Sequence, residues 1–127
     1  MDDATLARAR DGWTHRGQGR PPWAIEPGPD QESVWDYPRP PRIDPDSRLV
    51  RILHEGVLIA ESRSAVRILE TASPPTFYIP PDDVRMGLLE RARGASICEW
   101  KGSANYWSLV RDEQVLANVA WSYETPV

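Results

Sequence analysis

The sequence holds a single cysteine, Cys98, and only two histidines, His15 and His54. One cysteine excludes an intramolecular disulfide framework, and it equally excludes a zinc site of four cysteines or of two cysteines and two histidines. The histidines are far apart and neither belongs to a ligand-spaced pair, so no metal and no cofactor are expected. No apolar run approaches the roughly 20 residues that span a bilayer, and the two acids after Met1 are followed by no apolar leader core. The net charge of −4 and pI of about 5.1 leave no basic field to draw nucleic acid or an anionic membrane. Glycine-rich phosphate loops are missing too. These limits describe a cytoplasmic protein without membrane or nucleic-acid partners, and 127 residues fit one domain.

Proline and tryptophan are abundant instead. Eight of the 13 prolines lie between Pro21 and Pro45, where each removes a backbone donor and restricts the residue before it. Residues 1–45 therefore read as an extended arm after a short helix near Ala4–Arg10, with residues 1–32 outside a compact domain of residues 33–127. Trp13, Trp23, Trp35 and Tyr37 are costly to leave in water, so the arm is expected to pack on its own domain or on a second copy.

From Arg48 onward short strands alternate with turn signals: 48–54, 57–62, 65–70 and 76–79. "PPDDVRMGLLERARG" then reads as a helix, with Pro81 in the first turn, Asp82 and Asp83 at the positive end and Gly94 as the stop. Strands at about 95–100, 104–110 and 115–123 complete a mainly β domain, a small antiparallel sandwich or open barrel.

"ICEWKGSANYW" (97–107) concentrates the cysteine, a lysine and three aromatics around one glycine. Alternation along a strand puts Cys98 and Trp100 on one face, and Val115, Val119, Trp121 and Tyr123 on one side of the last strand. Such rows are either hairpin core or the wall of a pocket. Lys101 beside Gly102 favours a pocket, because lysine can hold an anion and glycine lets a ligand approach the backbone.

"VWDYPRPPR", "ILET", "YIPPDDV", "CEWKGSANYW" and "AWSY", in this order and at these intervals over residues 33–124, resemble the domain of unknown function 427 family. The resemblance implies an antiparallel β fold of the tent type with a helix on one edge, and no agreed activity. The nucleotidyltransferase-like label sometimes attached to that family calls for a helical Gly-Ser followed by spaced aspartates. Here the only Asp-x-Asp is Asp44-Pro45-Asp46, and Gly102-Ser103 lies in a β-rich context. Paired Cys-x-x-Cys zinc motifs of related tent folds cannot be transferred to a chain with one cysteine.

The motif residues include charges that packing alone does not explain. Trp35, Tyr37, Tyr78, Trp100, Tyr106 and Trp121 would wall a cleft between arm and sheet, beside Cys98. Arg39, Arg42 and Lys101 would hold a small anionic ligand there, oriented by Glu70 or Asp83. Two other readings stay open: ion pairs such as Arg39 with Glu70 that serve structure alone, and a non-catalytic module that self-associates through the arm. Cys98 lacks a histidine within its motif to act as a base.

Overall fold

A computed structural model describes residues 2–126 and is mainly β, with three small antiparallel sheets, one helix and no barrel. The helix, α1, spans Asp3–Asp11; the Asp2 side chain caps it by accepting from the Thr5 amide. The first sheet has the order β1-β4-β5, with β1 at Arg42–Asp46, β4 at Ala65–Leu69 and β5 at Thr76–Tyr78. A two-stranded sheet pairs β2 (Val50–His54) with β3 (Val57–Ser62). The third, in the order β6-β7-β8, is the meander of Leu89–Cys98, Gly102–Arg111 and Gln114–Ser122. No helix among the described residues is long and apolar enough to cross a membrane.

Two segments depart from the expectation, each for a physical reason. Residues 81–94 are not a helix. Pro81–Asp83 and Met86–Leu88 make single 3-10 turns, and β6 begins at Leu89. Between the turns β3 captures the backbone: Val84 bridges Ala60, the Arg85 amide donates to the Ile59 carbonyl at 2.8 Å, and Ser62 Oγ donates to Asp83 Oδ2 at 2.6 Å. Leu-Glu-Arg-Ala-Arg favours a helix intrinsically, but its pairing with β7 (Leu89 opposite Leu109, Arg91 opposite Trp107) overrides that weak preference. The second departure is β1, a strand inside the stretch read as arm. It lies at a sheet edge, where Pro45 needs no ladder donor on its outer side.

The meander twists through two irregularities. The register shifts between Arg91 and Ala95, where Gly94 has φ +92, and between Trp107 and Leu109, where Asn118 has φ +54 and its amide donates to Ser108 Oγ. Even so, Trp121 stays opposite Tyr106 and Val115 opposite Val110. The row on the last strand is largely outward: Val115 is 61% exposed and Trp121 47%. Burial falls instead on the central strand, at Ala104, Ser108 and Leu109, and on Ile59, Ala60, Ala65 and Leu69.

Around Leu69 the two halves of the sequence are laced together. Thr71, fully buried, donates its hydroxyl to the Tyr37 carbonyl and its amide to the Pro38 carbonyl, while the Ala72 amide donates to Val34. The "VWDYPR" and "ILET" motifs are thus one structural unit. Gly17, at φ +86, lies against it so closely that a Cβ would stand 2.7 Å from the Tyr37 carbonyl oxygen.

Leu69→Ala is expected to lower the unfolding free energy by about 2–5 kcal/mol, whereas Val119→Ala on the exposed strand stays within about 0.5 kcal/mol. Urea denaturation of both variants checks the location of the core.

Candidate functional site

The expected single cleft resolves into three places. The first is a knot around Arg39. Its side chain is buried, with the residue 8% exposed. Nε bonds Glu70 Oε2 at 3.2 Å, Nη1 donates to the His15 carbonyl at 2.9 Å and Nη2 donates to the Thr71 carbonyl at 2.8 Å. The Trp13 ring covers the guanidinium at 3.7 Å, and Trp13 Nε1 in turn donates to Glu99 Oε1 at 2.8 Å. Arg10 Nε donates to the Glu99 carbonyl and, with Arg16, stands over the Trp100 ring; Trp100 Nε1 is buried without an acceptor among the described residues. These bonds fasten α1 and the start of the arm onto the β6–β7 corner of their own chain. Arg39 is committed to this contact, with every nitrogen engaged.

The second place is a junction of tyrosines. The Tyr78 and Tyr123 rings lie 6.1 Å apart, and Tyr78 Oη accepts from Trp121 Nε1 at 2.9 Å. Tyr106, opposite Trp121 in the sheet, shares a 2.6 Å hydrogen bond with Ser96 Oγ. Lys101 Nζ stands 5.5 Å from the centre of the Tyr123 ring. Burial pushes the Tyr123 hydroxyl up to about 12, and the negative charges of Glu70 and, once ionised at alkaline pH, of Cys98, Tyr78 and Tyr106 add to the rise. Like any tyrosine it is a protonated donor at neutral pH. Among the described residues Lys101 has no carboxylate within ion-pair distance, whereas Glu70 is already matched by Arg39. Next to the junction Cys98 and Gly102 line a cavity of about 210 Å³ that Leu6 of α1 and Thr125 also border.

The third is an open hollow of about 620 Å³ on the arm, where Trp35 and Tyr37 lie. The sheet brings one cation to its edge, Arg67 of β4, which pairs with Glu32 at 3.0 Å. Burial, and then the Glu32 carboxylate, raise the Tyr37 hydroxyl above its ordinary range.

The junction thus gathers Glu70, Tyr78, Cys98, Lys101, Tyr106 and Trp121, while Trp100 belongs to the arm contact behind it. Arg42 is on β1, exposed and bonded to Asp44 at 2.9 Å. Asp83 is held by Ser62. Tyr123, expected on the last strand beside Trp121 but not among the site residues, lies just past that strand, which ends at Ser122. Its place in the "AWSY" motif, two residues after Trp121, was the available signal.

No histidine lines the cavity at Cys98, and His54 is bonded to Arg111 through both its ring and its carbonyl. Asp44 and Asp46 of the Asp-x-Asp are taken by Arg42 and Arg48. The hydrogen bonds from Arg48 draw the Asp46 carboxyl down to about 2. Gly102-Ser103 opens β7 rather than a helix.

A small mainly β domain with one hydroxyl-rich junction is therefore the class of protein described. Its sequence agrees with a known family: the model described as domain of unknown function (DUF427) matches residues 42–127, and the chain belongs to that family. The match begins at Arg42, the first residue of β1, so the rest of the first motif, Arg39 included, and the arm lie upstream of it. No curated protein matches the chain.

Arg39→Ala is expected to cost about 3–5 kcal/mol of stability by stranding Glu70 and the bonded carbonyls, while Lys101→Ala stays within about 0.5 kcal/mol; urea denaturation separates them. Tyr123 predicts a second outcome. Its folded pKa exceeds the ordinary value of about 10, so its contribution is intact below that value. As pH rises through the window between 10 and 12, the unfolded state binds fewer protons than the folded one and stability falls. Phenolate absorbance should show a late step near pH 12 that Tyr123→Phe removes.

Proposed function

We propose that this protein binds a small ligand bearing a negative group at the tyrosine junction, with Lys101 supplying the charge and the hydroxyls the directed hydrogen bonds. One observation carries the reading: Lys101 is an uncompensated ammonium set among hydroxyls that have donors to spare. Tyr123 is a neutral hydroxyl, with burial raising its pKa further above the ordinary tyrosine value. Tyr78 already accepts from Trp121, which leaves its own hydrogen for another acceptor. Tyr106 and Ser96 share one hydrogen between them and have a second to offer. A donor-rich, acceptor-poor group of this kind suits a carboxylate or phosphate, and charge-assisted bonds to such an anion are the stronger ones. The half-exposed Trp121 indole offers an apolar wall, so an aromatic or otherwise planar anion fits better than a bare ion.

Glu70 opposes such a ligand less than a free carboxylate would, since Arg39 pairs with it at 3.2 Å. Gly102, at φ +100 immediately after Lys101, lets the hairpin turn without placing a side chain beside the ammonium.

Titration with phenyl phosphate and with benzoate, followed by amide and indole NMR shifts, tests the proposal. Binding should perturb Lys101 and the Trp121 indole, and Lys101→Met should weaken it about tenfold or more, a loss of about 1.4 kcal/mol, with unchanged urea stability. Equal affinity in Lys101→Met, or shifts confined to other parts of the surface, would refute it.

A further inference from the structure

The hollow on the arm has the opposite chemistry to the tyrosine junction, and it lies almost wholly upstream of the family match. Apart from Pro75, everything that lines it comes from residues 23–37. Its carboxylates are Glu26 and Glu32, and no lysine, arginine or histidine lines it. Arg67 pairs with Glu32 at 3.0 Å, whereas Glu26 has no ion-pair partner among the described residues. The remaining walls are apolar: Trp23, Ile25, Pro27, Val34 and Trp35.

Its aromatic wall is held in position. The Trp23 and Trp35 rings are 6.1 Å apart and nearly perpendicular, at 85°. His15 packs edge-on against both, at 6.1 Å from Trp23 and 5.3 Å from Trp35. His15 is itself anchored, because its carbonyl accepts from the buried Arg39. Trp23 is nevertheless 69% exposed, and Ile25 beside it is 87% exposed. An indole fixed by its neighbours yet open to solvent is a binding surface already organised, with little side-chain entropy left to lose.

We propose that this hollow binds an amphipathic organic cation, an alkylated ammonium carrying an apolar body. The negative face of an indole attracts a cation, and a quaternary ammonium, poorly hydrated and clothed in methyl groups, gains most from an aromatic wall. Glu26 adds attraction without a tight hydrogen bond, which such a head group cannot donate, while Glu32 is already matched by Arg67. A hard metal ion would need several converging oxygens, and no group of three His, Cys, Asp or Glu side chains gathers among the described residues. The size of the hollow, about 620 Å³, is within the usual range for small-molecule sites, about 300–1,000 Å³. It exceeds a bare trimethylammonium head, hence the apolar body beside Ile25, Pro27 and Pro75.

The test uses the full chain with its indole nitrogens labelled. Phenyltrimethylammonium and choline should shift the Trp23 and Trp35 indole signals, while benzenesulfonate and 3,3-dimethylbutan-1-ol, the uncharged counterpart of choline, should not. Trp23→Leu keeps an apolar side chain at an exposed position while removing the indole face, and should weaken phenyltrimethylammonium at least tenfold. Glu26→Gln should weaken it severalfold, and added salt should mimic that loss. Lys101→Met, at the other site, should change nothing. A peptide bearing trimethyl-lysine, run in parallel, distinguishes the source of the ammonium: tighter binding than choline assigns it to a modified protein, weaker binding to a free small molecule. Equal binding of choline and its uncharged counterpart would overturn the proposal, as would full affinity in Trp23→Leu or shifts that leave both indoles unmoved.

Discussion

A single buried guanidinium holds this structure together. Arg39 comes from the proline-rich segment and reaches two others at once: the start of the chain through the His15 carbonyl and the Trp13 ring, and the end of β4 through Glu70 and the Thr71 carbonyl. Burying a charge is costly unless it is paired and hydrogen-bonded throughout, and here each nitrogen has an acceptor. Lysine could not replace it, because its single nitrogen lacks the planar three-nitrogen fork that spans these separated acceptors and stacks flat on an indole. The small apolar core explains the need for such a device: among the fully buried side chains only Leu69 is large and aliphatic. A polar network fixes what the core is too small to specify.

The position of Arg39 also decides what the remaining charges can do. By pairing with Glu70 it leaves the Lys101 ammonium as the ion at the tyrosine junction without an ion-pair partner among the described residues, beside a surplus of hydroxyl hydrogens. By holding His15 it steadies the ring on which Trp23 and Trp35 rest. Two recesses of opposite preference thus share one anchor. The junction lies within the residues common to the family, and the hollow on the arm that precedes them.

Much of this was legible in the sequence where a local rule and the tertiary environment agreed. Strands β3, β4 and β5 lie within a residue or so of their expected places, since Val57–Ser62, Ala65–Leu69 and Thr76–Tyr78 have clear turn signals around them. The ion pair of Arg39 with Glu70 was foreseeable from two charges inside otherwise apolar motifs. The rest depended on partners that no local pattern reveals. Residues 81–94 carry a helix's acids, apolar stripe and terminal glycine, yet Ala60 and Ile59 claim the backbone at Val84 and Arg85, and β7 pairs with the chain from Leu89 onward. Pro45 concealed β1 because proline disfavours strands in general but not at an edge. The site residues were gathered too generously for the same reason: Trp35 and Tyr37 share motifs with Arg39 but line a separate recess. Tyr123 was overlooked because its partners, Tyr78 and Lys101, come from other parts of the chain.

Hydrogen–deuterium exchange of Arg39→Gln against the unaltered protein tests the role of this anchor most directly. Loss of protection across residues 3–20 and 33–38, with the β6–β8 meander still protected, is the expected result. Unchanged protection of the arm would contradict it, since the guanidinium would then be a passenger in a structure held by something else.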